Sequence, residues 1–133
     1  KTESEYYESL NTGLDHLSKS SLVIKSLPPS WLLDLKQFLE SSFHSTIQNE
    51  VIGKTFNKHP VYIARMFKKY FGMSMKAYVR LMRTNASINS IFSEEDILAG
   101  VALKNGFSDQ SHLNRTLKRA TGFTPRQFKQ FAM

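Results

Sequence analysis

The stretch "RMFKKYFGMS", residues 65–74, returns fifty residues later as "RTLKRATGFT", residues 115–124. Arg65 meets Arg115, Phe67 meets Leu117, Lys68 meets Lys118 and Lys69 meets Arg119. Gly72 then meets Gly122, and Ser74 meets Thr124. Upstream, Ile63 meets Leu113 at the same offset, and Ile52-Gly53 meets Val101-Ala102 at an offset of forty-nine. Each copy reads as a helix, a short turn, a second helix, a glycine stop and a capped start of a further helix. The second copy's turn is one residue longer.

Each recurrence has a physical reason. A small residue, Gly53 or Ala102, lets the first helix of a pair approach the second closely. Ile63, Met66, Phe67 and Tyr70 share one face of the second helix, as do Leu113, Leu117 and Ala120 in the later copy, so these faces are expected inside. The opposite faces carry Val61, Ala64, Arg65 and Lys68, then Ser111, Asn114, Arg115 and Lys118. Gly72 and Gly122 suit the left-handed cap that ends a helix. Two helices across a tight turn, the second cationic on its outer face, form a helix-turn-helix, whose second helix fits the major groove of B-DNA. A linker helix of about seventeen residues, about 25 Å long, would hold two such units about one DNA turn apart. An α-solenoid is the competing reading, but it stacks three or more units and only two occur here.

Composition agrees with a polyanion partner. The chain has 133 residues, net charge +7 and no cysteine, which excludes disulfides and thiolate metal sites. Residues 1–50 hold four Lys/Arg against seven Asp/Glu, whereas residues 51–133 hold fourteen against four. A basic lobe after an acidic one points to nucleic acid. No apolar run approaches the ~20 residues of a membrane helix, so no membrane partner is expected and a cytoplasmic location is. The chain begins at Lys1, and the expectation is a piece of a longer protein.

The periodicity predicts an all-α fold of about seven helices after an extra N-terminal one. Residues 3–20, with Tyr6, Tyr7, Leu10, Leu14 and Leu17 at helical spacing, form that first helix. Pro28-Pro29 ends it and divides the chain into 1–28, the end of a regulatory domain or linker, and 29–133. Residues 1–27 are expected to pack on the basic lobe or on a second copy, giving a homodimer, or to belong to the preceding domain. Ser30 is the expected N-cap of a helix burying Trp31, Leu32, Leu35, Phe38, Leu39 and Phe43. Further helices are expected at about Ile47–Phe56, Pro60–Phe71 and Met75–Ile91, the last capped by Ser74. Ser93 or Asp96 caps the next, which ends near Asn105-Gly106. The remaining two run from about Gln110 to Thr121 and from Thr124-Pro125 through Phe131.

Residues 47–131 resemble the DNA-binding domain of AraC/XylS-type bacterial transcription regulators. The similarity is strongest in "GFSDQSHLNRTLKRATGFTPRQFK", residues 106–129, and clear in "HPVYIARMFKKYFGMSMKAYVRLMR", residues 59–83. It implies seven helices in two helix-turn-helix subdomains joined by a long linker helix. It also implies recognition helices, about 60–71 and 110–121, in successive major grooves of double-stranded DNA, and RNA polymerase as a further partner. Carried onto this chain, the base-contacting positions are Val61, Ala64 and Arg65, then Gln110, Ser111, His112, Asn114 and Arg115. Val61 and Ala64 can touch only thymine methyls, which leaves Arg65, with Tyr62, for direct readout by the first lobe. Arg65 and Arg115 can each grip a guanine or a phosphate. Lys68, Lys69, Lys118 and Arg119 are expected on phosphates. Gly100 departs from the family's helix-favouring acidic residue, and "FSEED", residues 92–96, sets three acids before the second lobe, to cap its helix or to repel phosphate.

No cofactor or metal is expected: His16, His44, His59 and His112 show no ligand spacing. Ser108, Asp109, Ser111 and His112 bring hydrolase groups together, but Ser108 or Asp109 reads better as a helix cap, and an oxyanion site is missing. No enzymatic activity is expected. The alternative to DNA binding is an all-α protein-interaction module.

Overall fold

The computed structural model describes residues 27–93 and 97–132; the expected helix at 3–20, its proposed dimer seam, and Asp96 lie outside the described residues. Seven helices follow: α1 (Ser30–Ser42), α2 (Asn49–Phe56), α3 (Pro60–Phe71), α4 (Met75–Ser93), α5 (Leu98–Lys104), α6 (Gln110–Thr121) and α7 (Pro125–Ala132). Among the described residues there is no strand. None of these helices is long and apolar enough to cross a membrane.

The helix ends show why the duplicated stretches read as they do. Pro60 opens α3, where its missing N–H is not needed, and the His59 Nδ1 accepts the Val61 N–H at 3.1 Å. Gly72 closes α3 at φ 77°, donating its N–H to the Lys68 carbonyl at 2.9 Å. Gly122 repeats this at φ 84° on the Lys118 carbonyl, also at 2.9 Å. Ser74 Oγ accepts the Ala77 N–H at the start of α4. Thr124 and Gln127 form a reciprocal pair ahead of α7: the Thr124 N–H reaches Gln127 Oε1 at 2.8 Å, and the Gln127 N–H reaches Thr124 Oγ1 at 3.3 Å.

Other expected starts are corrected. Ser30 is already inside α1; Pro29 holds the cap position, with extended backbone and no side-chain bond. α2 begins at Asn49 rather than Ile47, and Ile47 packs from the preceding loop. Ser93 ends α4, its Oγ donating to the Ser90 carbonyl, while Ile97 takes the cap position of α5 without a side-chain bond.

Two separate cores result. The first joins Leu32, Leu35, Leu39, Ile52, Ile63, Phe67, Phe71 and Val79. The second joins Ile91, Val101, Ala102, Phe107, Leu113 and Leu117. α4 serves both, with Val79 in one and Ile91 in the other; its 19 residues span about 28 Å. Each fully buried Leu or Ile removes enough apolar surface from water to contribute about 1.5–3 kcal/mol. Ala120, expected inside, is exposed, and Thr116 is buried on the inner face of α6 instead. The methyl of Ala120 stands where Tyr70 stands in the first copy, and it is too short to reach a core.

Gly53 shows the close approach its size permits. A Cβ there would lie 3.0 Å from the Lys58 carbonyl oxygen and 3.2 Å from Pro60 Cγ. Lys36, unremarked in the sequence pattern, is buried in α1; its Nζ pairs with Glu40 at 2.9 Å and lies 5.4 Å from the Tyr78 ring centroid. Glu40 also accepts the Tyr78 hydroxyl, tying α1 to α4.

Candidate nucleic-acid interface

In each lobe the inner stripe of the second helix is sealed and its outer stripe is open. On α3, Ile63, Phe67 and Phe71 are buried, whereas Val61, Ala64, Arg65, Lys68 and Lys69 are exposed. On α6, Leu113, Thr116 and Leu117 are buried, whereas Ser111, Arg115, Lys118 and Arg119 are exposed. The 3.6-residue period forces this division once the apolar stripe enters a core. Both arginine-bearing flanks therefore face solvent.

The open residues differ in freedom. Tyr62 stacks on Trp31 of α1 with ring centroids 6.1 Å apart, and Lys58 covers the same indole at 4.9 Å. Lys69 lies over the Tyr70 ring at 5.4 Å. Lys118 Nζ donates to the Gly122 carbonyl at 3.1 Å, so one donor is spent on its own helix end. Gln110 opens α6 and is half-buried. Asn114 Oδ1 is buried with no hydrogen-bond partner, so only its amide NH₂ end can point outward. A two-point grip on adenine needs both ends and would require the side chain to swing out.

The cluster at the start of α6 resolves into a cap. Asp109 Oδ1 accepts the backbone N–H of His112 at 2.8 Å. His112 Nδ1 turns back to Ser108, 3.3 Å from its N–H and 3.2 Å from its hydroxyl, and its ring meets Phe107 edge-on at 5.1 Å. The Asp109 carboxylate thus serves backbone rather than orienting an imidazole. Among the described residues no group of three or more His, Asp or Glu is placed to hold a metal ion.

The lobes are joined by more than α4. Arg83, on α4, donates from Nε to the Phe43 carbonyl at 2.7 Å and from a terminal nitrogen to the Ser45 carbonyl at 3.0 Å. Burial lowers the Arg83 pKa below its usual value, while an arginine still keeps its charge at neutral pH. Gly106, in the turn before α6, fits against this pair: a Cβ there would stand 2.6 Å from Arg83 Nε and 2.7 Å from the Phe43 oxygen. Its φ of 90° is in the region that favours glycine. The loop after α1 thereby touches the turn before α6 through one guanidinium. Sequence spacing gave no sign of this contact, because its partners are 40 residues apart.

Known proteins share this arrangement. A family profile described as a helix-turn-helix domain matches residues 52–130. An uncharacterized HTH-type transcriptional regulator of Bacillus subtilis, YbfP, is 30% identical over 95 residues, which is 71% of this chain and 32% of that protein. A transcriptional regulator from Chromobacterium violaceum, described as having an AraC-type DNA-binding domain, superposes with a TM-score of 0.70 at 19% identity, covering 77% of this chain and 92% of that one. The DNA-binding domain of AdpA, solved with a target DNA, gives 0.70 at 15% identity, covering 75% and 90%. The chain spans about a third to a half of the length of the curated relatives it matches. With a duplicated helix pair, two cores on one linker helix and a matching profile over most of its length, the chain belongs to the AraC-type helix-turn-helix domain family.

Proposed function

We propose that residues 29–133 are the double-stranded DNA-binding domain of a bacterial transcription regulator, with α3 and α6 entering successive major grooves. The observation that carries this reading is the pair of solvent-facing, arginine-bearing flanks on the second helix of each lobe, each backed by its own core. The AdpA domain, of the same fold, is bound to its target DNA, which supports the reading. Val61, Ala64 and Arg65 of α3, and Gln110, Ser111, His112, Asn114 and Arg115 of α6, face bases in this account. Lys68, Lys69, Lys118 and Arg119 meet phosphates. The domain works in the cytoplasm, where RNA polymerase is its further partner, and residues 1–27 or a preceding domain bring two copies together. Each phosphate neutralised lowers log affinity by about 0.9 per decade of salt. A mobility shift against random duplex DNA at two salt concentrations tests the reading. Salt-sensitive binding is expected; its absence would favour a protein-interaction module.

A further inference from the structure

A cleft of about 670 Å³ lies between the lobes, walled by the first half of α4 on one side and α6 on the other. Lys76 and Arg80 line it from α4, and Arg115 and Arg119 from α6. Within each pair the residues are four apart, one helical turn, so both project from the same face of their helix. All four are exposed, and no Asp or Glu lines the cleft. Such a cluster of like charges repels itself in the free protein and creates a field that concentrates an anion.

The lining also indicates which anion. Leu39 and Ile52 on its lining are sealed, at 0% and 2% exposure, whereas Ile47, Met75 and Ala120 leave some apolar surface open beside the cations. Lys76, Arg80, Arg115 and Arg119 are solvated rather than buried, as suits a chain of phosphates that keeps much of its water; Arg83, also on the lining, is partly buried and engaged by the Phe43 and Ser45 carbonyls. The cleft is bordered by α6 itself, through His112, Arg115, Thr116, Arg119 and Ala120.

We infer that this cleft seats the phosphodiester backbone of the duplex where it crosses from the groove of one recognition helix to that of the other, with Lys76 and Arg80 of the linker helix as phosphate contacts. The inference rests on the proposed DNA binding and adds two residues outside both recognition helices. It makes the linker helix part of the binding surface rather than a spacer.

The test uses the full chain, a duplex recovered by selection from a random pool, and Lys76→Gln/Arg80→Gln, which keeps helix-forming side chains of similar length. Its log-affinity against log-salt slope should be shallower than that of the parent by about 1.8, at about 0.9 per phosphate, with base preference unchanged. Thermal unfolding of the double variant should occur at the same or a higher temperature, because repulsion is relieved. Uncharged methylphosphonate linkages between the two recognised blocks should weaken the parent chain and leave the double variant nearly unaffected. An unchanged salt slope, or equal sensitivity of both proteins to methylphosphonate, overturns the inference while DNA binding stands. A parent chain with no salt-sensitive duplex binding overturns the proposed function itself. Tight binding of inorganic pyrophosphate by the parent, lost in the double variant without any change in its duplex binding, would assign the cleft to a free phosphate instead.

Discussion

Replacing Gly106 by alanine strikes the contact that sets one lobe against the other. Among the described residues three glycines have positive φ, Gly72, Gly106 and Gly122. At Gly72 and Gly122 a Cβ would meet nothing within 4 Å, so alanine there costs only the left-handed backbone, about 1–2 kcal/mol. At Gly106 the same Cβ would overlap the Phe43 carbonyl oxygen, at 2.7 Å, and Arg83 Nε, at 2.6 Å. The oxygen belongs to backbone and cannot turn aside, so the Arg83–Phe43 bond must break or stretch. A hydrogen bond to a charged donor contributes roughly 1.5–3 kcal/mol. Gly106→Ala should therefore destabilise by about 2.5–5 kcal/mol in all, against about 1–2 for Gly122→Ala. Urea unfolding followed by circular dichroism gives both values from the midpoint and slope. A loss at Gly106 equal to that at Gly122 would refute the claim that Gly106 and Arg83 fasten the lobes together.

The remaining predictions concern single elements. Asp109→Ala should cost about 1 kcal/mol, because the His112 N–H loses its partner at the start of α6; urea unfolding checks it. Leu117→Ala, in the second core, should cost about 2–5 kcal/mol, whereas Ala120→Ser, on the exposed side, should change stability by less than about 0.5 kcal/mol. Arg115→Ala should relax preference at one base pair by about 1–3 kcal/mol in competition binding; equal weakening on every sequence would make Arg115 a phosphate anchor. Lys118→Ala should weaken all sequences alike, and an altered base preference would contradict its role.

What was legible in the sequence was local. Pro60, Gly72, Ser74, Asp109, Gly122 and Thr124 act within one helical turn of themselves, and their chemistry announces helix ends without knowledge of the fold. The inner positions Ile63 and Phe67 of α3 and Leu113 and Leu117 of α6 were equally plain, since periodicity records which side meets a core. Ser30 misled because Pro29 already holds the extended backbone a cap requires, which moves serine into the helix. Ala120 misled because an apolar letter on the right stripe is too small to reach across to a core. Lys36 was passed over because a charge inside is acceptable only beside partners such as Glu40 and Tyr78, and Tyr78 lies on another helix. Arg83, Gly106 and the cleft between the lobes depend on how two packed units meet, and no short-range pattern encodes that.

The most direct measurement is selection of bound duplexes from a random pool with residues 1–133, followed by sequencing. Two recognition helices held on one linker predict two short preferred blocks separated by about one turn of DNA, roughly 10 base pairs centre to centre. Enrichment of a single block, or none at all above the input pool, would contradict the account.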